Sequence, residues 1–101
     1  MNKEEYKPKK ENVIGLAIDS LKDGPIHGLR HRIQDNNTGW YIWQGEYSTE
    51  KDFFKPICFE HLNKYLNQEI IDQLSLPEGY RFLIDLKNKH TDIWFDEKLL
   101  N

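Results

Sequence analysis

The stretch "GWYIWQGE", residues 39–46, sets two tryptophans, a tyrosine and an isoleucine between two glycines. Neighbouring side chains on a strand point to opposite faces, so Trp40 and Ile42 share one face while Tyr41 and Trp43 share the other. Both faces are apolar. Such a strand is either covered on both sides, or covered on one and left to a partner on the other.

Working outward on the N-terminal side, "IHGLRHRI" (26–33) reads as a second strand. It alternates His27, Leu29, His31 and Ile33 against Gly28, Arg30 and Arg32. The polar run "QDNNTG" turns it into the aromatic strand, giving a hairpin over residues 26–44. Upstream, "NVIGLAIDSL" places Ile14, Leu16 and Ile18 on one side of a first strand, closed by the turn residues Gly24 and Pro25. Residues 1–11, rich in lysine and glutamate with Pro8, read as a flexible arm ahead of a single domain over 12–101.

On the C-terminal side, a long loop over 46–55 carries Tyr47, Phe53 and Phe54 among polar residues. A helix is expected to start near Pro56, because proline is tolerated in a first helical turn. Phe59, Leu62, Leu66, Ile70 and Leu74 then recur every three or four residues, the stripe of an amphipathic helix. Asn67 is placed to cap a second short helix, "QEIIDQL". "YRFLIDL" and "DIWFD" follow as two alternating strands around the turn "KNKHT". The order predicts an α+β fold, a mainly antiparallel sheet of about five strands with one or two helices on one face.

One helical layer covers only one face of a sheet. Trp40 and Ile42 are therefore assigned to the core, with Phe59, Leu62, Leu66, Phe82 and Ile84. Tyr41 and Trp43 are assigned to the other face, partly covered by the 46–55 loop. That face would carry aromatics edged by Glu46, Glu50 and Asp52, a composition suited to a protein partner, since Trp and Tyr dominate interface hot spots. The expected partner-binding residues are Tyr41, Trp43, Glu46, Tyr47, Glu50 and Asp52.

Composition narrows the function. The 101 residues suit one domain, with 38% hydrophobic and 31% charged side chains. No apolar run approaches the roughly 20 residues needed to span a bilayer, and the charged N-terminus has no apolar segment behind it. A cytoplasmic protein without a membrane partner is expected. Fourteen basic residues are scattered along a chain of net charge −3, which argues against a nucleic-acid partner. The single Cys58 excludes an internal disulfide framework.

Catalytic signals are weak. Cys58 and His61 lie three apart at an expected helix start, a setting that lowers thiol pKa values. No further ligands complete a zinc site, so no metal or cofactor is expected and Cys58 reads as a small buried side chain. The acids form no recognisable pair, and no phosphate loop, GxSxG or HExxH occurs. A non-enzymatic protein is expected. A small-ligand or regulatory domain with an aromatic pocket is the alternative.

Four motifs, "TGWYIWQGE" (38–46), "DFFKPICFEHL" (52–62), "LSLPEGYRFLID" (74–85) and "DIWFDEKLL" (92–100), together resemble the thirty-third class of bacterial polymorphic-toxin immunity proteins. The resemblance spans residues 38–100, with a looser match over 13–33. It implies an α+β domain, made in the cytoplasm, that binds a cognate toxin and blocks it. It supplies no catalytic residues. The chain departs from the family pattern at "LNQEI" (66–70), where a proline would stand between the helices.

Overall fold

The computed structural model describes residues 6–101. Six strands form one sheet: β1 (Val13–Leu16), β2 (Ile26–Arg30), β3 (Asn37–Gln44), β4 (Lys55–Cys58), β5 (Tyr80–Asp85) and β6 (His90–Phe95). Their order is β4-β1-β3-β2-β5-β6. β1 runs parallel to β3, and every other pairing is antiparallel. The α+β architecture expected from the sequence is present, with one strand more than expected.

The extra strand is β4. Pro56 does not open a helix but sits within β4, paired with Gly15. Proline lacks an N–H and is confined to sheet edges, and β4 is an edge strand. The helical stripe begins later and is broken. A 3-10 helix spans Phe59–Lys64 and a short α-helix, α1, spans Gln68–Ile71, continued by 3-10 geometry over Asp72–Ser75. The break at Asn67 is a cap, its side-chain oxygen accepting from the Ile70 N–H at 3.2 Å. "LNQEI" therefore ends one helical piece and starts the next without a proline.

The stripe nevertheless covers the sheet as its periodicity requires. Leu62, Leu66, Ile70 and Leu74 are buried against Ile14, Leu16, Trp40, Ile42, Phe82 and Ile84, with Phe59 packed at the margin. Trp40 and Ile42 point inward, which answers half of the question set by residues 39–46. On β2 the inward residues are Ile26, Gly28 and Arg30. Gly28 leaves open the space that the Phe82 ring occupies, a place no Cβ would fit.

Arg30 is 2% exposed, in the middle of the core. Its Nε donates to the Thr38 carbonyl at 2.9 Å, and Nη1 to the carbonyls of Leu76 at 2.7 Å, Tyr6 at 2.9 Å and Leu74 at 3.3 Å. The guanidinium carbon lies 5.5 Å from the centre of the Trp40 ring. Burial pulls its pKa down to about 10, opposed by the nearby charge of Glu78, so it stays protonated at neutral pH.

Ahead of β1, the Tyr6 carbonyl accepts from Arg30 and Pro8 is buried. Residues 1–5 of the expected N-terminal arm lie outside the described residues. β3 carries a local irregularity. Its register with β1 slips between Val13 and Gly15, where Gly39 adopts φ +86° against the His31 carbonyl. A side chain is excluded there on both counts. The Thr38 hydroxyl donates to the Val13 carbonyl at 2.8 Å, holding the distorted segment to β1.

Two stability tests follow from this packing. Leu62→Ala or Phe82→Ala should cost roughly 2–5 kcal/mol, the range for large-to-small core changes, read from chemical denaturation. An unchanged midpoint would mean the faces are misassigned. Arg30→Met should destabilise by about 2 kcal/mol or more, because it strips charged donors from buried carbonyls. Arg30→Lys should not restore the loss, since an ammonium cannot reproduce the planar fork.

Candidate partner-binding face

The main helical layer leaves the sheet's second face free, and among the described residues only the short C-terminal 3-10 helix, Glu97–Leu100, packs beside it, the Leu99 carbonyl 3.1 Å from His31 Nδ1. Register fixes its rows: Gly15, Tyr41, Leu29, Arg81 and Trp94 line up across β1, β3, β2, β5 and β6. Trp43, His27, Leu83 and Asp92 form the next row. Tyr41 lies close over β1 because residue 15 is glycine, where a Cβ would sit 2.7 Å from the tyrosine ring.

The loop between β3 and β4 folds over the β3 end of this face. Phe54 meets Tyr41 edge-on at 5.1 Å between ring centres, and Tyr47 meets Trp43 at 5.1 Å. Phe53 and Phe54 are 4.9 Å apart, with Tyr47 against both. Edge-to-face pairs of this kind add about 0.5–1.5 kcal/mol each beyond area burial, so the loop is pinned by its own rings. A turn closed by the Phe53 N–H on the Glu50 carbonyl, 3.1 Å, presents the intervening residues outward.

The candidate residues separate under this geometry. Trp43 is only 5% exposed, capped by Tyr47 and Phe54 and stacked on His27 at 5.0 Å with planes 14° apart. The loop covers it more completely than partial cover on an outward face would imply. Tyr41 is half-buried and Tyr47 is 56% exposed. Glu46, Glu50 and Asp52 are all exposed, with exposed Lys51 on the same loop and exposed Lys55 at the start of β4, so the rim is mixed rather than purely acidic.

The structure adds residues that the sequence reading did not single out. Leu29 and Leu83 are half-buried in the middle of the face, and Trp94 at its far end is 40% exposed. Arg81 lies 5.6 Å from the Trp94 ring centre and pairs with Asp96 at 3.2 Å. The alternation of β2 and β5 held the signal for Leu29, Arg81 and Leu83, which fall opposite Gly28, Phe82 and Ile84.

Two other readings can be placed. The hollow among the aromatics, lined by Leu29, His31, Tyr41, Tyr47 and Phe54, holds about 210 Å³, below the ~300 Å³ at which small-molecule sites begin. A larger hollow of about 650 Å³ lies by residues 23–26 and 84–88 and has no aromatic lining. Cys58 is half-buried at the end of β4 rather than fully enclosed, and His61 is exposed beside Glu60. Among the described residues no three His, Cys, Asp or Glu side chains cluster to hold a metal ion, and no helix is long and apolar enough to cross a membrane.

His27 has its pKa lowered, first by burial and then by the positive charge of Arg81. The fold therefore favours the neutral ring. Below the ordinary value of 6.5 the unfolded chain takes up a proton that the folded chain resists. Stability present above that pH should fall as pH drops through the lowered folded value. His27→Phe, which keeps a ring on Trp43, should flatten this part of the stability–pH curve, measured by denaturation from neutral to mildly acidic pH. An unaltered slope would assign the effect to another group.

Comparison with curated proteins and with solved structures finds no match to the chain. The family model of the Imm33-like domain matches residues 1–96, nearly the whole chain and all six strands. The chain belongs to the Imm33-like domain family.

Proposed function

We propose that this protein is a non-enzymatic immunity protein that works in the cytoplasm, binding a cognate toxin and blocking it by direct contact. The observation that carries the reading is the partly uncovered sheet face. The main helical layer lies on the other side, the loop over residues 46–54 shields the β3 end, and the C-terminal 3-10 helix (Glu97–Leu100) packs beside His31. Tyr47 and Trp94 are left exposed at either end, with Leu29 and Leu83 between them. An apolar expanse rimmed by charged side chains is the usual composition of a protein-binding surface. Family membership points to a protein toxin as the partner.

The contact is built from Tyr41, Tyr47 and Trp94 as anchors, with Glu46, Glu50 and Asp52 at the rim. Trp43 supports them from beneath by holding Tyr47 and Phe54 in place. The mild net charge of −3, with three acids against two lysines along the rim, favours association with a basic toxin surface.

The test pairs binding isotherms against the cognate toxin with denaturation curves. Tyr47→Ala should weaken binding by about 2 kcal/mol or more, the hot-spot range, with little change in stability. Trp43→Ala should instead cost about 3–5 kcal/mol of stability, as loss of a buried aromatic does. Wild-type affinity in both Tyr47→Ala and Trp94→Ala would exclude this face. Cys58→Ser should leave neutralisation intact, and its loss in a folded Cys58→Ser protein would overturn the non-enzymatic reading.

A further inference from the structure

The two edges of the sheet are unlike. β4 is four residues long and carries Pro56, which blunts it against further pairing. β6 is six residues long, pairs with β5 in unbroken register, and contains neither proline nor lysine. All six of its residues are exposed, with Ile93 at 45% and Phe95 at 51%. Its first half is polar, with His90 and Asp92 paired at 2.9 Å, and its second half is the apolar run Ile93, Trp94 and Phe95; a regular edge of this kind is a template for another strand.

The direction of its free hydrogen-bonding groups can be read. The Asp96 N–H donates to the Gly79 carbonyl at 2.7 Å, so Asp96 faces β5. In an antiparallel ladder the groups alternate, which turns those of Trp94, Asp92 and His90 toward β5 and those of Thr91, Ile93 and Phe95 toward the open edge.

We propose that β6 pairs antiparallel with β6 of a second copy about a two-fold axis at Ile93, joining two sheets into one of twelve strands. The occupant is argued from self-complementarity. A two-fold strand pair is isologous, so every residue must tolerate its symmetry mate. With the axis at Ile93, the outward-facing Ile93 residues meet each other and Thr91 meets Phe95. Asp92 lies beside Trp94, and His90 opposite Asp96. No like charges oppose. Moving the axis to Asp92 sets that carboxylate against its own copy, and moving it to Trp94 sets Asp92 against Asp96. With the axis at Thr91 only residues 90–92 of the strand overlap. One register uses the whole edge without repulsion.

This pairing makes no use of the toxin and is tested without it. Light scattering on the purified full chain, from micromolar to millimolar concentration, should show the mass rising from one chain to two. Ile93→Lys should hold it at one chain with an unchanged circular dichroism spectrum and unfolding midpoint. Register is tested by oxidative cross-linking in a Cys58→Ser background. Ile93→Cys should form a covalent dimer, since hydrogen-bonded antiparallel pairs set Cα atoms about 5.5 Å apart, within disulfide reach. Thr91→Cys, facing Phe95 rather than its own mate, should not. A single-chain mass at every concentration would overturn the proposal. So would a dimer that survives Ile93→Lys, or equal cross-linking of the two cysteine variants. A single-chain protein whose Ile93→Lys variant loses toxin affinity would assign the edge to the toxin.

Discussion

One arginine holds the two layers together. Arg30 points into the core from β2, and its guanidinium gathers carbonyls from β3, from the end of the helical segment and from the chain ahead of β1. Trp40, directly paired with it on β3, donates its indole N–H to the Leu74 carbonyl at 3.0 Å. The last turn of the helical layer is therefore anchored by an indole and a guanidinium that both donate to the Leu74 carbonyl. Short 3-10 and α pieces leave more unsatisfied carbonyls than one long helix would. A buried cation with several donors meets that need, and an apolar side chain could not. Burying the charge carries a desolvation cost, expressed in its lowered pKa, and the carbonyls that surround it offset that cost.

The layer fixed in this way leaves the opposite sheet face only partly covered, by the 46–54 loop and the C-terminal 3-10 helix. Its aromatic end is held rigid by ring-on-ring contacts, and its far end is open. Aromatic side chains held in this way have little conformational entropy left to lose in any contact they make. Charge is present within the face as well as at its margin, since Arg81 lies between Leu29 and Trp94 and Asp92 beside Leu83.

Much of this was legible in the sequence where periodicity and chemistry agreed. Alternation in residues 39–46, combined with a single helical stripe, placed Trp40 and Ile42 inside and Tyr41 and Trp43 outside. The stripe itself named Leu62, Leu66, Ile70 and Leu74. Alternation alone does not say which face of a strand is buried. On β2 the buried set is a glycine and an arginine, and neither resembles a core residue until Phe82 and the Leu74 and Leu76 carbonyls are in place. Pro56 has two legitimate homes, a first helical turn and a sheet edge, and only the neighbouring β1 decides between them. The depth at which Trp43 lies was hidden because it depends on how a long loop folds back, a matter of ring contacts far apart in sequence.

The sheet joins two local hairpins, β2–β3 and β5–β6, through non-local pairings, among them the parallel pairing of β1 with β3. β2 with β3, and β5 with β6, are hairpins whose strands meet across short connections. β1 cannot join its neighbour this way, because the chain must first travel out along β2 and back along β3. Closing that longer loop costs more chain entropy before any contact repays it. β1 emerges first in the sequence, yet its place in the sheet exists only once β3 is laid down, and its other side stays bare until β4 arrives. The slipped register held by Gly39 and Thr38 is the seam where this non-local strand meets the β2–β3 hairpin.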